Sequence, residues 1–167
     1  MKGDGPLCLN IVDLPPEGTV LEGAVASDEI GLEDESRIRC PGPVRYRLQA
    51  APIVQEEGVL VRGWVETVLL VMCDRCLSMA EHLVRADDVC HHYPDEEGNL
   101  LDLTSDVRED ILLTFPQSSL CRMDCQGLCP SCGKNLNEGD CSCSQGKSDE
   151  GPWEALSALD LSPGGEE

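Results

Sequence analysis

Residues 59–72 read Val-Leu-Val-Arg-Gly-Trp-Val-Glu-Thr-Val-Leu-Leu-Val-Met, a stretch β-branched and apolar enough for one long strand. Glu56-Glu57-Gly58 ahead of it is a turn signal. Before that turn, Val44-Arg45-Tyr46-Arg47-Leu48 alternates with period two, placing Val44, Tyr46 and Leu48 on one face and Arg45 and Arg47 on the other. After a second turn at Cys73–Cys76, residues from His82 to Val89 supply a returning strand. Three strands joined in sequence order predict an antiparallel meander.

Outward from this centre, Leu7–Leu14 is an apolar stretch closed by Pro15-Pro16 and reads as an edge strand or an extended lead-in. The acidic segment 26–36 reads as a loop or a short exposed helix, and 94–100 as a polar loop. A helix over about 104–115 follows, with Thr104 or Asp102 as N-cap, Asp106 in its first turn and Pro116 as its stop. Val107, Ile111 and Phe115 fall four residues apart and give it a narrow apolar stripe for the sheet. The expected organisation is a β-rich α+β domain over 1–116, a cysteine-rich segment over 117–145, and a linker with a short amphipathic helix, around Pro152–Leu161, over 146–167.

The chain has 167 residues, 12 Lys plus Arg against 32 Asp plus Glu, a net charge of −20, and 3% aromatic residues. Such a charge repels phosphate backbones and anionic membranes, so general nucleic-acid binding is disfavoured and a basic partner is favoured. With few aromatics, platforms for stacking bases are scarce. The longest apolar run, within Val65–Met72, is too short to cross a bilayer, and no leader pattern opens the chain; the expectation is a soluble, cytoplasmic protein. In that reducing setting eleven cysteines read as metal ligands before disulfides.

The cysteines run Cys121-x3-Cys125-x3-Cys129-x2-Cys132-x8-Cys141-x-Cys143. Cys129-Pro-Ser-Cys132-Gly133 is the strongest part: a C-x2-C pair followed by Gly lets backbone N–H groups turn toward the sulfurs while both thiolates face one ion. With Cys141-Ser-Cys143 it makes four thiolates in two close pairs, which suits tetrahedral, closed, structural zinc; an iron–sulfur cluster is the alternative, because four thiolates do not choose the metal. Cys121 and Cys125 could join Cys73-Asp-Arg-Cys76 around a second zinc. Two other readings of Cys73 and Cys76 stand beside this, a turn of small buried thiols and a C-x2-C redox pair, the latter lacking its usual βαβ setting. Cys8, Cys40 and Cys90 are isolated and read as core residues.

No enzyme is expected. The chain has no H-x-E paired with P-C-x-x-C, no H-E-x-x-H, no P-loop and no Gly-rich dinucleotide turn. Its histidines, His82, His91 and His92, read as surface or rim residues. Arg37, Arg39, Arg45 and Arg47 gather a third of the basic residues into eleven positions. They read either as a contact to RNA phosphates or an acidic partner, or as ion-pair partners of Glu33–Glu35.

Cys73-Asp-Arg-Cys76-Leu77, the helix ending Ile111-Leu-Leu-Thr-Phe-Pro116, and the run from Leu120-Cys121 through Cys125-Gln-Gly-Leu-Cys129-Pro-Ser-Cys132-Gly133-Lys-Asn-Leu-Asn137 to Cys141-Ser-Cys143 resemble the YceD family of large ribosomal RNA subunit accumulation proteins, over about residues 40–161. The resemblance implies a non-enzymatic role in producing or maintaining large-subunit (23S) ribosomal RNA. For that role the expected partner is precursor large-subunit RNA, met through the arginine patch, or a basic ribosomal protein, met through the acidic faces. Branches of that family keep the C-x-R-C pair without the C-terminal cysteines, which makes the cluster a stabilising elaboration. A thiol-based redox or metal-handling protein using Cys73 and Cys76 is the competing expectation.

Overall fold

A computed structural model describes residues 5, 7–12, 14–32, 34–53, 58–94 and 100–143. The helix expected around Pro152–Leu161, the linker from 146, Glu33, the Glu56-Glu57 turn and most of the 94–100 loop lie outside these residues.

Gly58–Met72 (β5) is the central strand, and its burial alternates as a pleated strand with one covered face requires. Met79–Pro94 (β6) pairs antiparallel with it along its whole length, from Gly58 opposite Pro94 to Met72 opposite Met79. Since β6 fills one edge, the other is shared end to end by Val44–Pro52 (β4), opposite Val59–Glu66, and Ile38–Arg39 (β3), opposite Val71 and Leu70. Thr19–Val25 (β2) completes the five-stranded antiparallel sheet on the far side of β4. Cys8–Asn10 (β1) and Leu100–Asp102 (β7) form a separate two-stranded sheet.

The expected meander is therefore present as β4, β5 and β6, with outer strands longer than the pattern indicated. The alternating stretch continues to Pro52, and the returning strand starts at Met79 and ends at Pro94. The Leu7–Leu14 stretch contributes only the three residues of β1. Segment 26–36 contains no helix among its described residues, and Ile30 and Leu32 within it are buried in the core rather than exposed.

Thr104–Leu113 (α1) lies over one sheet face, burying Val107 and Ile111 with Leu48, Val61, Val65 and Leu69. It ends two residues short of the expected 115. Thr114 turns away, its N–H and Oγ both donating to the Ile111 carbonyl, so Phe115 packs on the core from outside the helix. Neither Thr104 nor Asp102 is the N-cap: Leu103 holds that position without a side-chain bond, and Asp102 Oδ1 instead accepts the Thr104 N–H at 3.0 Å. Asp106 stands in the first turn as expected. Two polar clasps fix α1 to β6, Tyr93 donating to Asp106 and His91 Nε2 lying 2.9 Å from Asp110. Cys40 is buried, bonded through sulfur to Thr67 Oγ1 at 3.4 Å, and Cys8 is half-buried. Cys90, expected in the core, is exposed, because its position on β6 puts it on the uncovered face.

Candidate metal centres

A short tight turn joins β5 to β6, and its backbone hydrogen bonds shape the first cysteine pair. Cys73 N–H donates to the Ser78 carbonyl at 2.8 Å and Leu77 N–H to the Cys73 carbonyl at 2.9 Å. The second C-x2-C pair repeats this pattern residue for residue. Cys129 N–H donates to the Lys134 carbonyl at 2.8 Å, and Gly133 N–H to the Cys129 carbonyl at 2.8 Å. In both turns the residue after the second cysteine takes positive φ, 61° at Leu77 and 73° at Gly133. That conformation is what frees the intervening N–H groups to face sulfur, as the Arg75 N–H does toward Cys73 Sγ at 3.4 Å.

The eight cysteines gather into two sets of four. Cys73, Cys76, Cys121 and Cys125 have their sulfurs within 4.8 Å of one another, as do Cys129, Cys132, Cys141 and Cys143. Cys73 and Cys125 sulfurs are 3.8 Å apart, Cys76 and Cys121 3.5 Å, and Cys129 and Cys141 3.3 Å. A disulfide would hold them near 2.05 Å, whereas tetrahedral thiolates about 2.3 Å from one zinc stand about 3.8 Å apart. The donor set and spacing in both places thus suit a four-thiolate metal ion. Cys73 and Cys76, for which three readings were open, lie with Cys121 and Cys125, and the eleven cysteines are free thiols.

Ionisation within each set is uneven. Burial pushes the Cys73 thiol up, but N–H groups of Cys76, Cys121 and Arg75 aimed at its sulfur outweigh this and bring it down to about 6. Backbone N–H groups of Cys132 and Ser131 do the same for Cys129, to about 6. Burial and the neighbouring Cys76 thiol push Cys121 up to about 12, and hydrogen bonding with Cys132, then burial, push Cys143 up to about 12. Bonds from Ser78 lower Cys76. Without a cation, four thiolates cannot share so small a space, and each set keeps protons that a divalent ion would displace.

Residues other than the cysteines hold the sets in place. Asp74 accepts from Arg37 through one carboxylate oxygen and from the Ser119 N–H through the other, at 2.7 Å, while its own N–H donates to the Ser119 carbonyl. This fastens the β5–β6 turn to the segment carrying Cys121. Ser78 Oγ lies 2.9 Å from Cys76 Sγ. Asn137, on the loop between Cys132 and Cys141, reaches back to the first set: its Nδ2 donates to Cys125 Sγ at 3.3 Å, and its Oδ1 accepts the Gln126 N–H at 2.9 Å. Asp74 and Ser119 meet across 45 residues of sequence, so no local spacing announces that contact.

Of the arginine cluster, Arg37 departs while Arg39, Arg45 and Arg47 share one face of the sheet. Arg37 turns to Asp74, Arg45 pairs with Glu66 at 2.9 Å and Arg47 with Glu22 at 3.0 Å; among the described residues Asp34 and Glu35 pair with none of the four arginines, and Glu33 lies outside those residues. Arg39, Arg45 and Arg47 lie on the sheet face opposite α1.

Fold and site define an antiparallel-sheet protein whose sheet end and tail are gathered by two four-cysteine sets able to hold metal. Residues 61–160 match the family described as large ribosomal RNA subunit accumulation protein YceD, and the chain belongs to that family. An uncharacterized protein of Mycobacterium tuberculosis is 39% identical over 95 residues, covering 48% of this chain and 46% of its own length. An uncharacterized protein of Mycobacterium leprae is 32% identical over 109 residues, covering 56% of this chain and 49% of its own. A chloroplastic protein of Arabidopsis thaliana, named large ribosomal RNA subunit accumulation protein YCED homolog 1, is 32% identical over 60 residues, covering 36% of this chain and 18% of its own. The chain thus spans about half the length of the mycobacterial relatives it matches. No solved structure matches it. Among the described residues no helix is long and apolar enough to cross a membrane.

Proposed function

We propose that the chain is a non-enzymatic cytoplasmic factor promoting accumulation of large-subunit (23S) ribosomal RNA. It acts by binding, to precursor RNA or to a basic ribosomal protein, and zinc in both cysteine sets holds its C-terminal segment in shape. The observation that carries this reading is the match of residues 61–160 to the family described by that role. Four thiolates per set leave no open coordination position, which favours structural over catalytic metal. The competing redox reading of Cys73 and Cys76 loses ground for two physical reasons. Their sulfurs face Cys121 and Cys125, and the pair sits between antiparallel strands instead of opening a helix.

Depletion of the protein in its own cells tests the role. The ratio of 23S to 16S ribosomal RNA should fall and recover on re-expression of the chain, and an unchanged ratio would sink the proposal. Metal analysis of the native protein should find two zinc ions per chain.

A further inference from the structure

The sheet face away from α1 has no element packed on it among the described residues, and its composition departs from that of the whole chain. The register assigns Arg39, Arg45, Arg47, Arg62 and Arg85 to it, from four different strands. Near its centre stands Trp64, opposite Arg47 on β4 and two residues from Arg62 on β5, with the Arg85 guanidinium 4.2 Å above its ring. Arg85 is itself held by Glu66 at 3.0 Å and by Asp87, so its guanidinium is fixed over the indole.

We infer that this face is a binding platform for single-stranded RNA, with a base stacking on the Trp64–Arg85 pair and phosphates meeting the surrounding arginines. The inference rests on the RNA-binding form of the proposed function and names the surface and the strandedness. Charge complementarity fixes the orientation. A chain of net charge −20 repels phosphate from most directions, whereas this face sets arginines from β3, β4, β5 and β6 beside Glu22, Glu66, Glu81 and Asp87; Arg45, Arg47 and Arg85 are held in ion pairs there, and the positive charge left over sits at Arg39 and Arg62. Two of them, Arg39 and Arg62, are exposed, and among the described residues their side chains make no hydrogen bond or ion pair, which leaves their guanidinium donors for a ligand. Along β5, Arg47, Arg45 and Arg39 stand beside Trp64, Glu66 and Leu70, spacings of about 7 and 13 Å at the usual rise per residue. That makes a row suited to successive phosphates of an extended strand. Stacking on one indole needs an unpaired base, which a duplex does not offer. Composition hid this platform, because a protein with 3% aromatics needs only one well-placed ring.

The test uses zinc-loaded full-length protein, a fluorescein-labelled single-stranded dodecaribonucleotide and the same sequence as a duplex. The single strand should bind more tightly than the duplex and quench Trp64 fluorescence in a Trp153→Phe background. Trp64→Ala should weaken binding about tenfold while Trp64→Phe retains most of it. Arg62→Glu, at an exposed position with no side-chain partner among the described residues, should fold normally, weaken binding further and lower the salt slope by about 0.7 or more. Preference for the duplex, absence of quenching, or unchanged affinity in Trp64→Ala and Arg62→Glu would each overturn the platform. So would loss of binding in Trp64→Phe as complete as in Trp64→Ala with melting temperature unchanged, since the ring would then not be the contact. In depleted cells, full rescue of the 23S ratio by Arg62→Glu would remove the platform and leave the proposed function standing. Failure of the wild-type chain to rescue would remove that function instead.

Discussion

At the position following each C-x2-C pair the two turns use different residues for one backbone shape. Gly133 adopts positive φ freely, while Leu77 does so at the roughly 1–2 kcal/mol that a side chain adds to left-handed backbone. Leu77 is 54% exposed, so little burial offsets that strain. Leu77→Gly should therefore hold stability within about 1 kcal/mol of wild type in urea denaturation, strain relief opposing the added unfolded-chain entropy. Gly133→Ala should cost about 1 kcal/mol and weaken metal at that set about fivefold in chelator competition. Protons report the thiols directly. Cys121 and Cys143, held up at about 12, are protonated near pH 7.5 and must ionise to ligate. Zinc addition should then release at least one proton from each of these two, read with a pH indicator in weak buffer. The cysteine ligands were legible because C-x2-C spacing is a local instruction. Asp74, Ser119 and Arg75 were not, because 45 or 50 residues separate each from its partner across the fold.

For whole elements, strand identity was legible wherever one face alone is buried, as in β4, where the alternation of Val44, Tyr46 and Leu48 with two arginines maps directly onto burial. Boundaries were not, since β6 is drawn out to Pro94 by pairing with β5 and not by its own pattern. The same pairing explains Gly63: a Cβ there would collide with the Arg47 backbone carbonyl, next to the register shift between Gly63 and Val65. Gly63→Ala should separate β4 from β5 locally and cost about 2 kcal/mol or more, seen as a lower urea midpoint with altered near-ultraviolet dichroism from Trp64. The α1 clasp carries a pH signature. Burial, then the Asp106 carboxylate that accepts its proton, raise Tyr93 above its usual range, and burial raises Tyr46. A phenol whose folded value exceeds its unfolded value of about 10 stabilises fully below that pH and loses the contribution as pH climbs above it. Stability should thus fall on the alkaline side of pH 10, and Tyr93→Phe should make the fall shallower in melts followed by circular dichroism.

Across the whole molecule the two cysteine sets occupy different mechanical positions. The first joins the β5–β6 turn to the segment after α1, linking residues 52 apart through Cys73 and Cys125. The second closes only the tail on itself, Cys129 meeting Cys141 twelve residues on, and touches the first through Asn137. A cross-link spanning about 50 residues contributes on the order of 3–4 kcal/mol, only about 1 kcal/mol more than one spanning about twelve, because closure entropy grows with the logarithm of loop length. The first set also shares its apolar shell with Leu120 and Leu128, so its loss would expose packing surface besides freeing the chain. Metal in the two sites should therefore be unequal in effect although the donors are the same. Cys141→Ser with Cys143→Ser should leave one zinc per chain and shift the melting temperature by only a few degrees. Cys73→Ser with Cys76→Ser should also remove one zinc but lower the melting temperature by about 6–16 °C, at about 2–4 °C per kcal/mol for a chain of this size. Equal shifts in the two double variants, measured by calorimetry beside metal analysis, would show that the metals do not divide the work between fastening the sheet and shaping the tail.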